Sequence, residues 1–329
     1  MTMTTWMALA AIGLTLVAAG LTRPYWTPAT KQLLRKLAGF RRHEIAIDGH
    51  QLVYHCCGKP SSPPLVLLHG FAGDCDNWLF YVRHFRRDFH VIVPDLPGFG
   101  ETGALPQRSY SLNAQLARLA AFFDSIGLHR FHLAGNSLGG YFAAAYAADH
   151  PERVASLALF NAAGVDMPHR SPFYSAALEG RNLLLVRQAG DFDHVLKLVY
   201  HRPPWIPGWF KRDLTKQRIE VAAEQDQIFQ EIFEQRLWLD TRLPRISMPT
   251  LVLWGDDDRV LDISSVSLFR QGIAHAEVAI LPACGHVPML EKPNETARLH
   301  RDFMDRAWRP LLPSDPPSAI SAQSNAFGR

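Results

Sequence analysis

The segment from Gly135 to Gly140 (GNSLGG) constrains the fold of this chain more than any other. The apolar-leaning residues Phe131 to Ala134 precede it and are typical of a strand, and the alanine-rich residues Tyr141 to Ala148 follow it and are typical of a helix. A serine between glycines at such a junction predicts a sharp strand-to-helix turn. The turn would lift the Ser137 hydroxyl clear of its neighbours and place it beside the first amides of the helix.

Strand-like and helix-like segments alternate around this turn. A helix is expected from about Leu112 to Ile126. The other strand-like runs are a hairpin of His43–Ile47 and Gln51–His55, then Pro64–Leu68, Val91–Pro94, Val154–Phe160, Thr250–Leu253 and Glu277–Leu281. The pattern predicts an α/β fold with a mostly parallel eight-stranded sheet covered by helices on both faces. Ligands of such sheets bind at the carboxyl ends of the strands.

Composition narrows the class of protein further. Of 329 residues, 47% are hydrophobic and 20% charged, which is typical of a globular protein. Residues 23–42 carry a net charge of +6, so the formal charge of +3 for the whole chain leaves −3 for the remaining residues. The excess of basic residues is therefore confined to one short segment and does not indicate nucleic-acid binding. The four cysteines form neither a disulfide framework nor a zinc-type cluster, and we expect free, mostly buried thiols.

Two later segments supply partners for a nucleophilic serine. A serine hydroxyl needs a base to take its proton, and the base needs an orienting group. Residues Trp254 to Val260 follow a strand and offer Asp256, Asp257 and Asp258, and residues Cys284 to Pro288 follow another strand and offer His286. Triads of serine, acid and histidine occur on several unrelated folds, and the order of the three residues along the chain differs between them. The order found here, serine, acid, histidine, is typical of one of these folds.

These stretches resemble the α/β-hydrolase-fold serine hydrolases. The chain is most similar to the membrane-anchored monoacylglycerol lipases of the α/β-hydrolase domain-containing type and to related bacterial esterases. The resemblance covers about residues 60–305 and rests on the Ser137 turn, the acidic and histidine segments, and two loops, Leu68 to Phe71 and Asp95 to Gly100.

The resemblance implies a role for five residues. In the family the acid lies three residues after the glycine of the W-G motif, which makes Asp258 the expected triad acid beside Ser137 and His286. The oxyanion hole of the family uses two backbone amides, which here belong to Phe71 and Leu138. No cofactor and no metal are expected.

Other polar residues are expected to be structural. In the family His69 supports the oxyanion loop, and Asp95 lies in a structural loop before the serine. His132 and His150 flank the Ser137 turn and are interpreted as packing or surface residues. Asp256 and Asp257 are interpreted as turn or capping residues.

A helical cap is expected to interrupt the sheet. The hydrolase core is assigned to residues 43–164 and 246–309 and the cap to residues 165–245, with helices over Tyr174–Val186 and Lys211–Leu239. The cap is rich in aromatic and aliphatic residues, which favours an acyl chain or a similarly apolar group in the site. The tail, residues 310–329, is rich in proline and serine and is predicted to be disordered.

The amino terminus is predicted to be a membrane anchor. Residues 1–22 contain no charged side chain, and about 20 residues of helix span roughly 30 Å of hydrocarbon. Residues 23–42 form a basic juxtamembrane segment, with an interfacial helix expected from Lys31 to Phe40. Six basic residues after the span and none before it favour a cytoplasmic catalytic domain. The alternative is a cleaved signal peptide and export.

The sequence therefore predicts a membrane-anchored serine hydrolase that cleaves lipophilic carboxylic esters such as monoacylglycerol. The expected partners are an acyl-ester substrate and membrane lipid, with no nucleic acid; the oligomeric state is left open. Two alternatives remain: a carbon–carbon bond hydrolase of the same fold, and a catalytically silent hydrolase-fold binding protein. Dehalogenase and epoxide hydrolase chemistry is disfavoured because those relatives carry aspartate where this chain has Ser137.

Overall fold

A computed structural model describes residues 26–308. The predicted anchor, residues 1–22, and the predicted disordered tail, residues 310–329, lie outside this part of the chain. Among the helices between residues 26 and 308, none combines the length and apolar character needed to cross a membrane.

One eight-stranded sheet forms the centre of the described residues, in the order β1-β2-β4-β3-β5-β6-β7-β8. Strand β2 is antiparallel to β1 and β4, and all the other pairs are parallel. The strands are β1 (Arg41–Ile47), β2 (His50–Cys57), β3 (Pro64–Leu68), β4 (His90–Pro94), β5 (Phe131–Asn136), β6 (Val154–Phe160), β7 (Thr250–Gly255) and β8 (Glu277–Leu281). This confirms the predicted fold class.

Helices cover both faces of the sheet. They are α1 (Trp26–Ala38), α2 (Leu112–Ser125), α3 (Leu138–Asp149), α4 (Pro172–Leu178), α5 (Asp191–Val199), α6 (Gly208–Glu220), α7 (Ala222–Glu234), α8 (Ser265–Gly272), α9 (Pro288–Glu291) and α10 (Pro293–Trp308). The central strands β5 and β7 are buried along their whole length, as expected for strands packed on both faces. Helix α3 is buried on every side, which explains its run of alanines: small side chains let it lie close to the sheet.

The cap between β6 and β7 differs from the prediction in three places. The expected helix over Tyr174–Val186 is wrong, because α4 ends at Leu178 and an irregular segment follows. The expected single helix over Lys211–Leu239 is also wrong, because α6 and α7 are separated at Val221. Helix α5 was not predicted; its short length gives only a weak periodic signal.

Helix α1 packs on the body formed by the sheet and its helices. It runs from Trp26 to Ala38, whereas the predicted interfacial helix runs from Lys31 to Phe40, so the two overlap but α1 begins and ends earlier in the chain. Arg35 forms ion pairs with Asp76, at 2.6 Å, and with Glu101. At the start of the helix, Thr27 Oγ1 donates a hydrogen bond of 2.5 Å to Asp213 on α6. Two of the basic side chains of this segment, Lys31 and Arg35, are therefore bound to acids of the body, while Leu33 and Leu37 stay exposed.

Candidate active site

Ser137 occupies the sharp turn between β5 and α3. Its backbone has φ 56° and ψ −117°, a left-handed conformation that a non-glycine residue adopts only at some energetic cost. Three hydrogen bonds of 3.0 Å hold the turn: Ser137 N donates to Phe160 O, and Ser137 O accepts from Tyr141 N and Ala163 N. The side chain is therefore fixed at the carboxyl edge of the sheet.

Two glycines make this turn possible because the backbone is crowded around it. A β-carbon on Gly135 would lie 2.2 Å from the carbonyl oxygen of Gly139. A β-carbon on Gly139 would lie 2.4 Å from the carbonyl oxygens of Leu68 and His69, at the end of β3. The glycines of the GNSLGG segment therefore let the backbones of β3, β5 and α3 pack closely against one another.

His286 and Asp258 meet at the same edge of the sheet. His286 Nδ1 lies 2.8 Å from Asp258 Oδ2, and both side chains are buried. The other oxygen of Asp258, Oδ1, accepts hydrogen bonds from the amides of Val260 at 2.8 Å and Leu261 at 2.9 Å. The carboxylate is therefore held on both oxygens, and one of them orients the imidazole.

Two asparagines that sequence reasoning missed support this pair. Asn161, which follows β6, donates from Nδ2 to Asp258 Oδ2 at 2.7 Å. Asn136, which precedes the serine, donates from Nδ2 to the carbonyl oxygen of His286 at 3.0 Å. Both follow or end a strand at the carboxyl edge, and this position is the sequence signal that could have identified them.

Ser137 and His286 line one cavity, but they are not hydrogen-bonded. Within residues 26–308, His286 Nε2 is buried and has no hydrogen-bond partner. Catalytic hydrogen bonds are often long in the absence of substrate and shorten when the complex forms. The geometry therefore brings acid and base together and leaves the nitrogen of the base that faces away from Asp258 unpaired.

One of the expected oxyanion amides lies at the start of a helix and the other in a loop. Leu138 is the first residue of α3, and Phe71 lies in the loop that follows β3. Neither amide donates a hydrogen bond within residues 26–308. His69 holds the Phe71 loop through Nδ1, 2.8 Å from Gly70 O, and through Nε2, which accepts from the amide of Leu96 at 2.9 Å.

Two cavities meet at Ser137. The first, which we call the apolar cavity, has a volume of about 100 Å³ and is lined by Ser137, Leu138 and cap residues that include Phe229 and Ile232. Its single charged lining residue among those the structure describes is Arg236, whose guanidinium lies 4.4 Å from the centre of the Phe233 ring. The second, which we call the Arg218 cavity, has a volume of about 220 Å³ and is lined by His286 as well as Ser137.

The remaining acids have structural contacts. Asp95 is buried and accepts hydrogen bonds from the amides of Cys75 at 2.7 Å and Glu101 at 2.8 Å. Burial, together with the nearby charge of Asp74, raises the pKa of Asp95 to about 7. Asp256 accepts a hydrogen bond of 3.4 Å from the amide of Cys284.

The other candidate histidines are also placed by structural contacts. His132 is buried with Nδ1 2.8 Å from Ser156 Oγ, and His150 packs against the ring of Tyr146 at the end of α3. Asp257 lies 2.8 Å from His201 Nδ1 and 2.6 Å from Arg259 Nη2. It was expected only to stabilise a turn, whereas its carboxylate also contacts these two basic side chains. Cys56, Cys57, Cys75 and Cys284 are free and buried, as expected.

Comparison with known proteins identifies the family. Residues 63–293, more than half of the chain, match the family model described as alpha/beta hydrolase fold. The chain belongs to the α/β-hydrolase family. It is 34% identical over 266 residues to Lipase 1 of Psychrobacter immobilis, a match that covers 78% of this chain and 81% of that one. It is 32% identical over 282 residues to monoacylglycerol lipase abhd6-A of Xenopus laevis, with 82% and 84% covered.

A solved structure supports the same family. The chain is 40% identical to a protein described as a membrane phospholipase A, a bacterial virulence factor, with a TM-score of 0.84 over 92% of this chain and 96% of that one. Together these relatives confirm the predicted resemblance to lipases and the assignment of this α/β-hydrolase as an enzyme of the ester hydrolase type.

Proposed function

We propose that this α/β-hydrolase cleaves lipophilic carboxylic esters with Ser137 as nucleophile, His286 as base and Asp258 as the group that orients the base. The single observation that carries the proposal is the buried contact of 2.8 Å between His286 Nδ1 and Asp258 Oδ2, with Nε2 left unpaired. An imidazole held in this way presents Nε2 to the proton of a neighbouring hydroxyl. A small movement of His286 or Ser137 completes the hydrogen bond when substrate binds.

The reaction proceeds in two halves. Ser137 Oγ attacks the acyl carbonyl carbon as its proton passes to His286 Nε2, and the protonated His286 then donates that proton to the departing alcohol. Water, deprotonated by His286, attacks the acyl-enzyme and releases the carboxylic acid and free Ser137. Asp258 stays ionised and stabilises the imidazolium in both halves.

The amides of Phe71 and Leu138 stabilise the charge on the tetrahedral intermediate. Neither amide has a partner within residues 26–308, so both are free to donate to an oxygen that becomes negative in the reaction. The removal of one such donor reduces rates by roughly 10²–10³ in enzymes of this kind.

The apolar cavity favours an acyl chain as the group next to the carbonyl. Its walls are aromatic and aliphatic side chains, and Arg236 is shielded over the rings of Phe233 and Trp238. The relatives are named lipases and monoacylglycerol lipases, which supports monoacylglycerol or a similar ester of medium or long chain.

We further propose that residues 1–22 anchor the protein in a membrane and that the catalytic domain faces the cytoplasm. The apolar, uncharged composition of that segment and the basic residues that follow it support the anchor and its orientation. The similarity to a protein described as a membrane phospholipase A supports membrane association. Exposed Leu33, Leu37 and Trp205 on the described surface are suited to the interfacial region of a bilayer.

The test is hydrolysis of a panel of acyl esters and vinylogous diketones by the wild-type protein and by Ser137→Ala. We expect cleavage of esters only, and its loss in Ser137→Ala with the circular dichroism spectrum unchanged. Ser267→Ala, which alters an exposed serine on α8, is the matched control and should be fully active. Faster cleavage of diketones would favour the carbon–carbon bond hydrolase, and no cleavage of either class would favour a silent binding protein.

A further inference from the structure

The backbone of the loop that carries His286 rests on the cap. His286 N donates a hydrogen bond of 2.7 Å to the carbonyl oxygen of Val199, the last residue of α5. The two backbones are in close contact, because a β-carbon on Gly285 would lie 2.4 Å from Val199 O and 2.8 Å from the amide nitrogen of His201. Cap residues 199–202, which we call the 199–202 segment, therefore support the backbone next to the base.

Glu291 joins this loop to the 199–202 segment. It is the last residue of α9 and partly buried. Its Oε2 accepts hydrogen bonds from the amides of Gly285 at 2.7 Å and His201 at 3.2 Å, and its Oε1 accepts one from the amide of Arg202 at 2.8 Å. Hydrogen bonds to a carboxylate are stronger than those between neutral groups. One side chain thus fixes the loop of the base to the cap.

The loop of the acid is bonded to the same segment. His201 Nδ1 lies 2.8 Å from Oδ2 of Asp257, the residue directly before Asp258. Asp257 N in turn donates a hydrogen bond of 3.0 Å to the carbonyl oxygen of Cys284, two residues before His286. The loops of acid and base and the 199–202 segment therefore form one hydrogen-bonded unit.

The position of this unit matters for the reaction, because the contact between His286 and Ser137 is not closed. His286 Nε2 has no hydrogen-bond partner within residues 26–308. The bond from Nδ1 to Asp258 orients the ring, but the distance from Nε2 to the serine depends on where the loop backbone lies. A misplacement of about 1 Å at a reacting group reduces rates by roughly 10²-fold.

We propose that Glu291 is a positioning residue for His286, which holds the loop of the base against the cap and so sets the distance from Nε2 to Ser137. This inference rests on the proposed function and adds a residue to the same site. Glu291 lines neither of the two cavities that meet at Ser137. Its loss should therefore slow the transfer of the proton and leave the binding of the ester unchanged.

The test separates rate from binding in Glu291→Gln. We measure kcat on a monoacylglycerol and the dissociation constant of the matching alkyl glycerol ether, which binds but is not cleaved. Glutamine keeps the size of the side chain but loses the charge and one acceptor oxygen, so we expect kcat to fall about tenfold or more. The dissociation constant of the ether should stay within about twofold of the wild-type value.

The fall in kcat does not depend on which half of the reaction limits the rate, because His286 moves a proton in both. Glu291→Asp, which keeps the charge on a shorter side chain, should lower kcat less and leave ether binding equally unchanged. A denaturation curve for each variant checks that it is folded.

Glu295→Gln is the matched control, because Glu295 lies four residues further along the chain and accepts no amide hydrogen bond within residues 26–308. Its kcat should equal that of the wild-type protein. Wild-type kcat in folded Glu291→Gln would overturn the positioning role, and so would ether binding that weakens as much as kcat falls, since Glu291 would then only support the cap. Failure of the wild-type protein to cleave the ester would instead count against the proposed function.

Discussion

At the scale of single residues, the candidate site depends on side chains that hold the acid and the base in place. Asp258 accepts four hydrogen bonds, from His286, Asn161 and the amides of Val260 and Leu261. Asn161 has φ 45° and is completely buried, so a larger substitution there would strain the backbone. Its position directly after β6 gives it access to the Asp258 carboxylate from the neighbouring strand.

Replacement of Asn161 by glycine tests this supporting role. Glycine accepts the positive φ but removes the donor to Asp258 Oδ2, so Asp258 becomes less well oriented. A hydrogen bond to a charged group contributes about 1.5–3 kcal/mol, so we expect kcat/KM for ester hydrolysis to fall about ten- to hundredfold. Steady-state kinetics measure the effect, and a denaturation curve checks that the variant is folded. Wild-type kinetics in a folded Asn161→Gly would mean that the two amides orient Asp258 without help.

The sequence predicted the candidate triad but not the asparagines that contact it. Ser137, Asp258 and His286 each follow a strand and carry the functional group that a triad needs, so residue type and order were informative. Asn161 and Asn136 stand at strand ends, which marks them as candidates, but their residue type also occurs anywhere on a surface or in a turn. Their contacts depend on how neighbouring strands align, and that information is not local in the sequence.

At the scale of elements, residues between β6 and β7 form much of the wall of the apolar cavity. The predicted helices of the cap were wrong in extent because hydrophobic periodicity detects long, regular helices better than short ones. The sheet was predicted more accurately, since buried parallel strands are continuous apolar runs such as Pro64–Leu68 with glycine at their ends. Cap residues pack on the core and on each other, so their boundaries follow tertiary contacts rather than propensity.

A larger side chain at Val165 should shorten the preferred acyl chain. Val165 is buried and lines the apolar cavity close to the point where the cap begins. Phenylalanine at this position fills part of the cavity, so Val165→Phe should lower the ratio of kcat/KM for long-chain over short-chain esters at least tenfold. Val278→Phe is the matched control on the exposed face of β8 and should leave the ratio as it is. An unaltered chain-length profile in Val165→Phe would place the acyl chain elsewhere.

At the scale of the whole molecule, buried histidines link stability to pH. Burial lowers the pKa of His55, His69 and His132 to about 4 and that of His300 to about 3, against about 6.5 in an unfolded chain. Between these values the unfolded chain binds more protons than the folded one, so stability falls as the pH falls. Asp95 opposes this trend, because its pKa of about 7 lets the folded state bind a proton that the unfolded state releases.

Four histidines against one aspartate give the expected sign. We predict that the melting temperature decreases as the pH is lowered from 7 to 4, and that it goes on decreasing to about pH 3, where the folded pKa of His300 lies. Thermal unfolding followed by circular dichroism at constant ionic strength measures this. A melting temperature that rises over the same interval would show that the Asp95 contribution outweighs the histidines.

The central claim is that Ser137 becomes nucleophilic because His286, held by Asp258, takes its proton. Covalent labelling with a fluorophosphonate, followed by mass spectrometry of the peptides, tests it most directly. We predict a single adduct on Ser137 in the wild-type protein, none in Ser137→Ala, and strongly slowed labelling in His286→Ala and Asp258→Asn. Labelling of another serine, or labelling of Ser137 at the wild-type rate in folded His286→Ala, would contradict the account.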